Sequence, residues 1–227
     1  MATLNASKWG RLAMTGQSSH AAARDSTTAN SVSVNPTFAS SAAIMYKKSA
    51  GRGGSAYNIY RSFYYFDTSG ISGNVTDSSL NILGSAAETA TVIIIPSTAF
   101  GGDGSADIVA GDYDNITFNA TIGNINESWD DGLNNELEFA DKDNAEGVAN
   151  AAIRDQNYFI CAVLEYGADY RNNEPGSTVT REAGINYATA AYLDYTEAAG
   201  SGYANKVMGV AAASIGKINS VAIANVG

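Results

Sequence analysis

Residues 57–67, YNIYRSFYYFD, place aromatic or aliphatic side chains on both faces of a strand at once. Side chains alternate along a strand with a period of two. Tyr57, Ile59, Arg61, Phe63 and Tyr65 therefore share one face, and Tyr60, Ser62, Tyr64 and Phe66 share the other. A strand apolar on both sides belongs in the middle of a sheet. One face fills a core, and the other is covered or binds something. Further runs read the same way: 28–46 as two early strands around Pro36, Leu80–Leu83 as a short strand, Thr91–Pro96 as a buried β-branched strand, 116–122, 157–170, and Ala188–Tyr195 as the closing strand. About eight strands follow from these runs. The expectation is an all-β, two-sheet antiparallel jelly-roll β-sandwich.

Helical spacing is confined to Ile125–Phe139 and Glu146–Asp155, so one or two short helices are expected. The runs DTSGISGNVTDSS, 100–115 and RNNEPGST read as loops. The organisation expected is an N-terminal arm (1–17), the sandwich (18–197) and a C-terminal apolar tail (198–227). Trp9 and Leu12 of the arm are expected to dock on something.

The tail holds two tandem copies of an eleven-residue unit, Lys206–Gly216 (KVMGVAAASIG) and Lys217–Gly227 (KINSVAIANVG), identical at five positions. Val207, Val210, Ile215, Ile218, Val221 and Val226 recur at spacings of three and four, while VAIANV alternates like a strand. As a helix, an eleven-residue period gives a slightly right-handed supercoil; Gly209, Gly216 and the β-branched residues weaken that helix. In either conformation the stripe is too thin to be stable alone, so these six residues, with Trp9 and Leu12, are the candidate interface.

Charge is unevenly distributed. Residues 1–52 carry six basic side chains and Asp25 as their one acid, whereas residues 101–148 carry twelve acidic side chains and Lys142 as their one base. Acidic loops keep a protein soluble. They can also receive the basic arm of another copy head to tail. No basic stripe is present to neutralise phosphates, which disfavours nucleic acid, and no run approaches the eighteen apolar residues of a membrane span. The first residues lack the pattern of a secretory signal, so any passage to the outside of a cell is expected by a route other than ordinary export, such as lysis.

The inventory for catalysis is poor. His20 is the one histidine, in a polar segment, and reads as structural or exposed. Carboxylate pairs such as Asp130 and Asp131 are numerous but sit in loop sequence, where solvated surface is the ordinary reading. Asp103, Asp107, Asp112 and Asp114 offer hard oxygen ligands that suit Ca2+. The DKDNAEG run begins like an EF-hand loop but has Ala145 and Glu146 where a ligand and glycine belong. Cys161 lies in an apolar run and reads as a small buried hydrophobe. Tyr57, Tyr60, Tyr64, Tyr113 and Tyr170 are candidates for a sugar-stacking platform, although aromatics in a two-faced strand also fill cores and interfaces.

Several short segments together resemble a known group: ARD (23–25), GRGG (51–54), IYRSFYYFDTSGISGNV (59–75), STAFGG (97–102), DYD (112–114), FNAT (118–121), LEYGADYRNNEP (164–175) and YLDYTE (192–197). They are similar to segments of jelly-roll virion proteins of tailed bacteriophages, especially those of aquatic bacteria. The resemblance covers roughly residues 20–197, and the repeated tail unit likewise resembles phage structural proteins. The strand pattern is also similar to β-sandwich modules of bacterial surface proteins and carbohydrate-binding modules. What the resemblance implies is a non-enzymatic structural part of a virion, a capsid decoration or a head or tail accessory protein. Its expected partners are sister copies in a homo-oligomer such as a trimer and another virion protein. A carbohydrate-binding module of a fibre or adhesin, contacting a host glycan, is the alternative.

Overall fold

The computed structural model describes residues 2–51, 54–71, 75–88, 90–118, 134–138 and 157–197, with residues 217–218 and 221–222 of the tail. The body is an all-β antiparallel sandwich. Its elements in chain order are β1 (Ala2–Asn5), β2 (Lys8–Gln17), α1 (His20–Arg24), β3 (Ser31–Val34), β4 (Ala39–Gly51), β5 (Gly54–Asp67), β6 (Val75–Glu88), β7 (Val92–Pro96), β8 (Asn134–Glu138), β9 (Tyr158–Glu165), β10 (Val179–Asn186) and β11 (Tyr192–Glu197).

The two-faced strand is β5, and it is central. Along one edge lies β2, from Lys8 opposite Tyr65 to Gln17 opposite Tyr57. Along the other edge β4 covers the first half and β9 the second. Where β9 takes over, β4 continues against β10, which passes to β6; β6 also pairs with β8 and β11. β7 extends the β5 layer beyond β9, and β3 closes it beyond β2.

Alternation along these strands separates two cores. Tyr64 and Phe66 of β5, Cys161 and Val163 of β9, and Val92 and Ile94 of β7 pack with Leu80, Ile82, Leu137, Ile185 and Leu193 from β6, β8, β10 and β11. The opposite faces send Ile59 and Phe63, Ile160, Ala162 and Leu164, and Ile93 and Ile95 to a second cluster, roofed by Ala23 of α1 and by Phe100, Ile108 and Tyr113. The unbroken apolar run of β7 follows from this burial on both sides. Each such side chain stabilises the fold by about 1.5–3 kcal/mol at most.

Several expectations are corrected. Residues 1–17 are not an arm but strands of the body: β1 pairs with β11, and β2 is hydrogen-bonded between β5 and β3. The alternation of β2 is masked by Gly10, whose bare backbone admits the Ile108 side chain; a Cβ there would lie 2.5 Å from Ile108 Cγ2. The loop expected before Leu80 is occupied from Val75 onward by β6, a strand of 14 residues whose buried Ser78, Ser79 and Asn81 disguise it. β10 was not foreseen. In the Ile125–Phe139 stretch, the described part, Asn134–Glu138, is a strand opposite β6 rather than a helix; Glu146–Asp155 lies outside the described residues. The short α-helix is instead His20–Arg24, N-capped by Ser19, whose hydroxyl accepts from the Ala22 N–H at 3.1 Å. From 116–122, the described residues contribute a single bridge, Ile116 to Ser97. In the tail, Lys217–Ile218 (β12) pairs with Val221–Ala222 (β13) antiparallel, which favours the strand alternative at those positions.

Candidate functional site

Four of the segments singled out in the sequence meet around one buried guanidinium. Past the end of β9 the chain makes a π-helical turn, Tyr166–Tyr170, fixed by Glu165, whose Oε2 accepts from the N–H groups of Ala168 and Asp169. That turn delivers Asp169 to Arg61 of β5. Arg61 Nε donates to Asp169 Oδ2 at 2.9 Å and Nη2 to Oδ1 at 2.6 Å, with both side chains fully buried. Its remaining bonds go to the carbonyls of Tyr113 (2.7 Å) and Arg24 (2.9 Å), and its guanidinium lies 4.0 Å from the Tyr113 ring centroid. Burial opposes the Arg61 charge, but the neighbouring Asp169 carboxylate leads the effects that outweigh it, and the pKa stays above its usual value. Arg24 donates from Nε to the Asp169 carbonyl at 2.6 Å, and Tyr113 donates its hydroxyl to Ala23 at 2.8 Å. Burial pushes the Tyr113 phenol up.

These groups bond to one another, so the arrangement clamps α1, the 97–118 segment and the π-helical turn onto β5. It is a structural lock. His20 belongs beside it: buried, with Nε2 2.9 Å from the Ala168 carbonyl and its ring edge-on to Tyr46.

The five tyrosines proposed for a platform do not form one. Tyr57, Tyr64 and Tyr113 are buried, because their faces of β5 and the 97–118 segment supply core. Tyr57 donates to Glu174 at 2.6 Å. Tyr60 is half-buried beneath the Arg11 guanidinium, 5.3 Å from its ring centroid, and Tyr170 is half-buried and stacked on Tyr166 at 5.7 Å.

The four aspartates do not converge either. Asp112 is buried, and its Oδ2 accepts from the N–H groups of Val109 (3.0 Å) and Phe100 (3.3 Å), while Oδ1 accepts from Asn115 Nδ2 (2.8 Å). Asp103, Asp107 and Asp114 are exposed. Asp103 accepts from the Ser105 N–H, and Asp107 lies 3.7 Å from Lys8. Among the described residues no three His, Cys, Asp or Glu side chains are grouped to hold a metal ion.

Both N-terminal interface candidates are used inside the chain. Leu12 is fully buried in the second cluster; Trp9 packs on the first and donates its Nε1–H to the Pro36 carbonyl at 2.9 Å. Lys8, Arg24 and Lys48 meet acids of their own chain, at Asp107, Asp25 and Glu174. Val207, Val210, Ile215 and Val226 lie outside the described residues, and Ile218 and Val221 are register partners in the β12–β13 pair.

Two surface features remain. First, Ala2 pairs with Tyr195, so β1 lies beside β11, the last described strand of the body. Glu197 pairs with Val75 at the start of β6. β6 runs 14 residues to Glu88, three positions before Thr91, whose carbonyl accepts from the Tyr166 N–H. Second, all four exposed large hydrophobic side chains among the described residues are Val32 (40%), Val34 (45%), Phe38 (67%) and Val109 (57%). Two are on β3, one follows it, and the fourth succeeds Ile108, which packs on Gly10 opposite Val34. The signal for this rim was present in the sequence as SVSV within residues 26–46, which carry no charged side chain.

No helix among the described residues is long and apolar enough to cross a membrane. In comparisons with known proteins, no protein-family model matches the chain and no curated protein matches it.

Proposed function

We propose that this chain is a non-enzymatic structural protein of a bacteriophage virion, a capsid decoration or head or tail accessory protein. Its sandwich, of jelly-roll type, is displayed, and its C-terminal tail attaches it to sister copies and to another virion protein. The observation that carries this reading is the Ala2–Tyr195 pairing. With the N-terminal strands built into the body, this reading gives attachment to the tail, which follows Glu197 at the start of β6, and display to the Tyr166 turn beyond the other end of that strand. Each buried Val or Ile of the repeats adds about 1 kcal/mol or more, and many copies make weak contacts durable.

The test is removal of residues 198–227. The truncated chain should keep its melting transition and lose incorporation into particles; incorporation equal to that of the full chain overturns the reading.

The alternative, recognition of a host glycan by the displayed end, draws on one feature, the Tyr166–Tyr170 stack. Binding of the body to a glycan array, abolished by Tyr166→Ala, favours it; no binding to any glycan counts against it.

A further inference from the structure

We infer that the outer edge of β3 receives a strand of the second tail repeat, around Val221, from another copy of this chain. The inference rests on the attachment role proposed for the tail and adds the surface that receives it.

β3 ends the strand order of its layer. Its one partner among the described residues is β2. An edge strand offers a row of backbone donors and acceptors to any further strand, and proteins ordinarily blunt such edges with charges, proline or a cover. Here the segment 26–46 contains no charged residue in a chain of net charge −10. Val32 and Val34 stand opposite Leu12 and Gly10, and so point to the side on which the Ile108 loop packs, where Val109 is also exposed. Among the described residues the rim therefore combines a backbone edge that no further strand covers with an apolar strip; β3 is four residues long, Pro36 follows it, and the Arg11 guanidinium is held at Ser33 on its inner side, so the edge can accept a short strand only.

The chemistry of the tail fits that rim. Its second repeat adopts strand conformation at Lys217–Ile218 and Val221–Ala222, and VAIANV continues with a period of two, as a strand adding to a sheet edge requires. Residues 198–227 contain Lys206 and Lys217 and no acid, whereas residues 1–197 carry 11 basic against 23 acidic side chains, a net charge of −12. A weakly basic, apolar segment is thus drawn to an acidic body and finds on it an apolar edge whose own residues are uncharged, with Arg11 bonded to Ser33 as the cation beside it. The 19 residues between Glu197 and Lys217 can span about 60 Å when extended, ample reach to a neighbour. Each copy would give one strand and receive one, a heterologous contact that closes into a ring or continues as an array.

The experiment uses full-length chains. One population carries Val32→Cys, or Val34→Cys in a duplicate series. A second, distinguished by a mass tag, carries one of Ser220→Cys, Val221→Cys, Ala222→Cys or Ile223→Cys. Native Cys161 does not interfere, because it is buried and burial pushes its thiol pKa well up. After mixing and mild oxidation, the expected result is a mixed-mass disulfide dimer whose yield alternates with tail position, high at 221 and 223 and several-fold lower at 220 and 222, or the reverse. Dimers formed by Val32→Cys chains alone show β3 pairing with itself and overturn the inference. A chain carrying both cysteines that cross-links only internally shows the tail folding onto its own rim and also overturns it. Absence of any cross-link overturns it too. In all three cases the truncation test stands separately, so loss of particle incorporation on removing 198–227 still supports the tail as the attachment device.

Discussion

Arg61 and Asp169, 108 residues apart, are joined by two parallel hydrogen bonds in a site closed to solvent on both sides. Asp169→Asn leaves a buried guanidinium without its countercharge. The expected loss is about 3–5 kcal/mol, read as a fall in the denaturant midpoint. Arg61→Met should cost a similar amount, and the double variant Arg61→Met/Asp169→Asn clearly less than the two singles added. Additive losses would mean that the pair is not energetically coupled.

Asp112 offers its carboxylate to its own backbone. Asp112→Ala removes acceptors from the Val109 and Phe100 N–H groups and from Asn115, for an expected loss of about 1–3 kcal/mol. Because those oxygens are occupied, a chelator should leave the melting temperature within replicate error. A stabilisation by added Ca2+ that disappears in Asp112→Ala would restore the aspartate cluster as an ion site.

Burial pushes Tyr187 up to about 12, and Tyr46 up to about 12 with Glu174 as a second cause. A folded-state pKa raised above the unfolded value means that the folded protein holds its phenolic protons longer. The associated stability is therefore complete below pH 10 and is lost as the pH climbs from about 10 toward 12. An absorbance titration of the 13 tyrosines should show a late phase, and denaturant midpoints should fall across that interval. A single phase near pH 10 with the fold intact would contradict the buried placement of both rings.

Gly104 sits at φ +82°, and a Cβ there would run into the ring of Tyr65. Gly104→Ala should cost about 1–3 kcal/mol through overpacking and backbone strain. It should also disturb the neighbouring Lys8, whose Nζ donates to the Gly104 carbonyl at 2.8 Å. Unchanged thermal stability would show that the loop relaxes freely.

What the sequence revealed depended on how far the responsible contacts reach. β5 and β7 were legible because their apolar residues betray burial on both faces regardless of partners. β2 was not, because its place between β5 and β3 depends on Gly10 yielding room to Ile108, 98 positions later. β10 was hidden by charge. VTREAGIN carries Arg181, which reaches Glu165 at 3.1 Å, a strand residue oriented toward a polar neighbour that no local pattern discloses. The lock around Arg61 is written in the sequence as scattered short motifs, which only the folding of α1, the 97–118 segment and the π-helical turn onto β5 brings together. Acidity likewise misled at Asp112, where burial turned a candidate ligand into a backbone cap.

Ala2 lies across a strand pair from Tyr195. A short peptide splice between them, with fresh termini opened at the Gly51–Gly54 hairpin, would therefore yield a circular permutant of the body with its native layers kept. The same proximity warns that an affinity tag fused ahead of Ala2 would crowd the root of the tail.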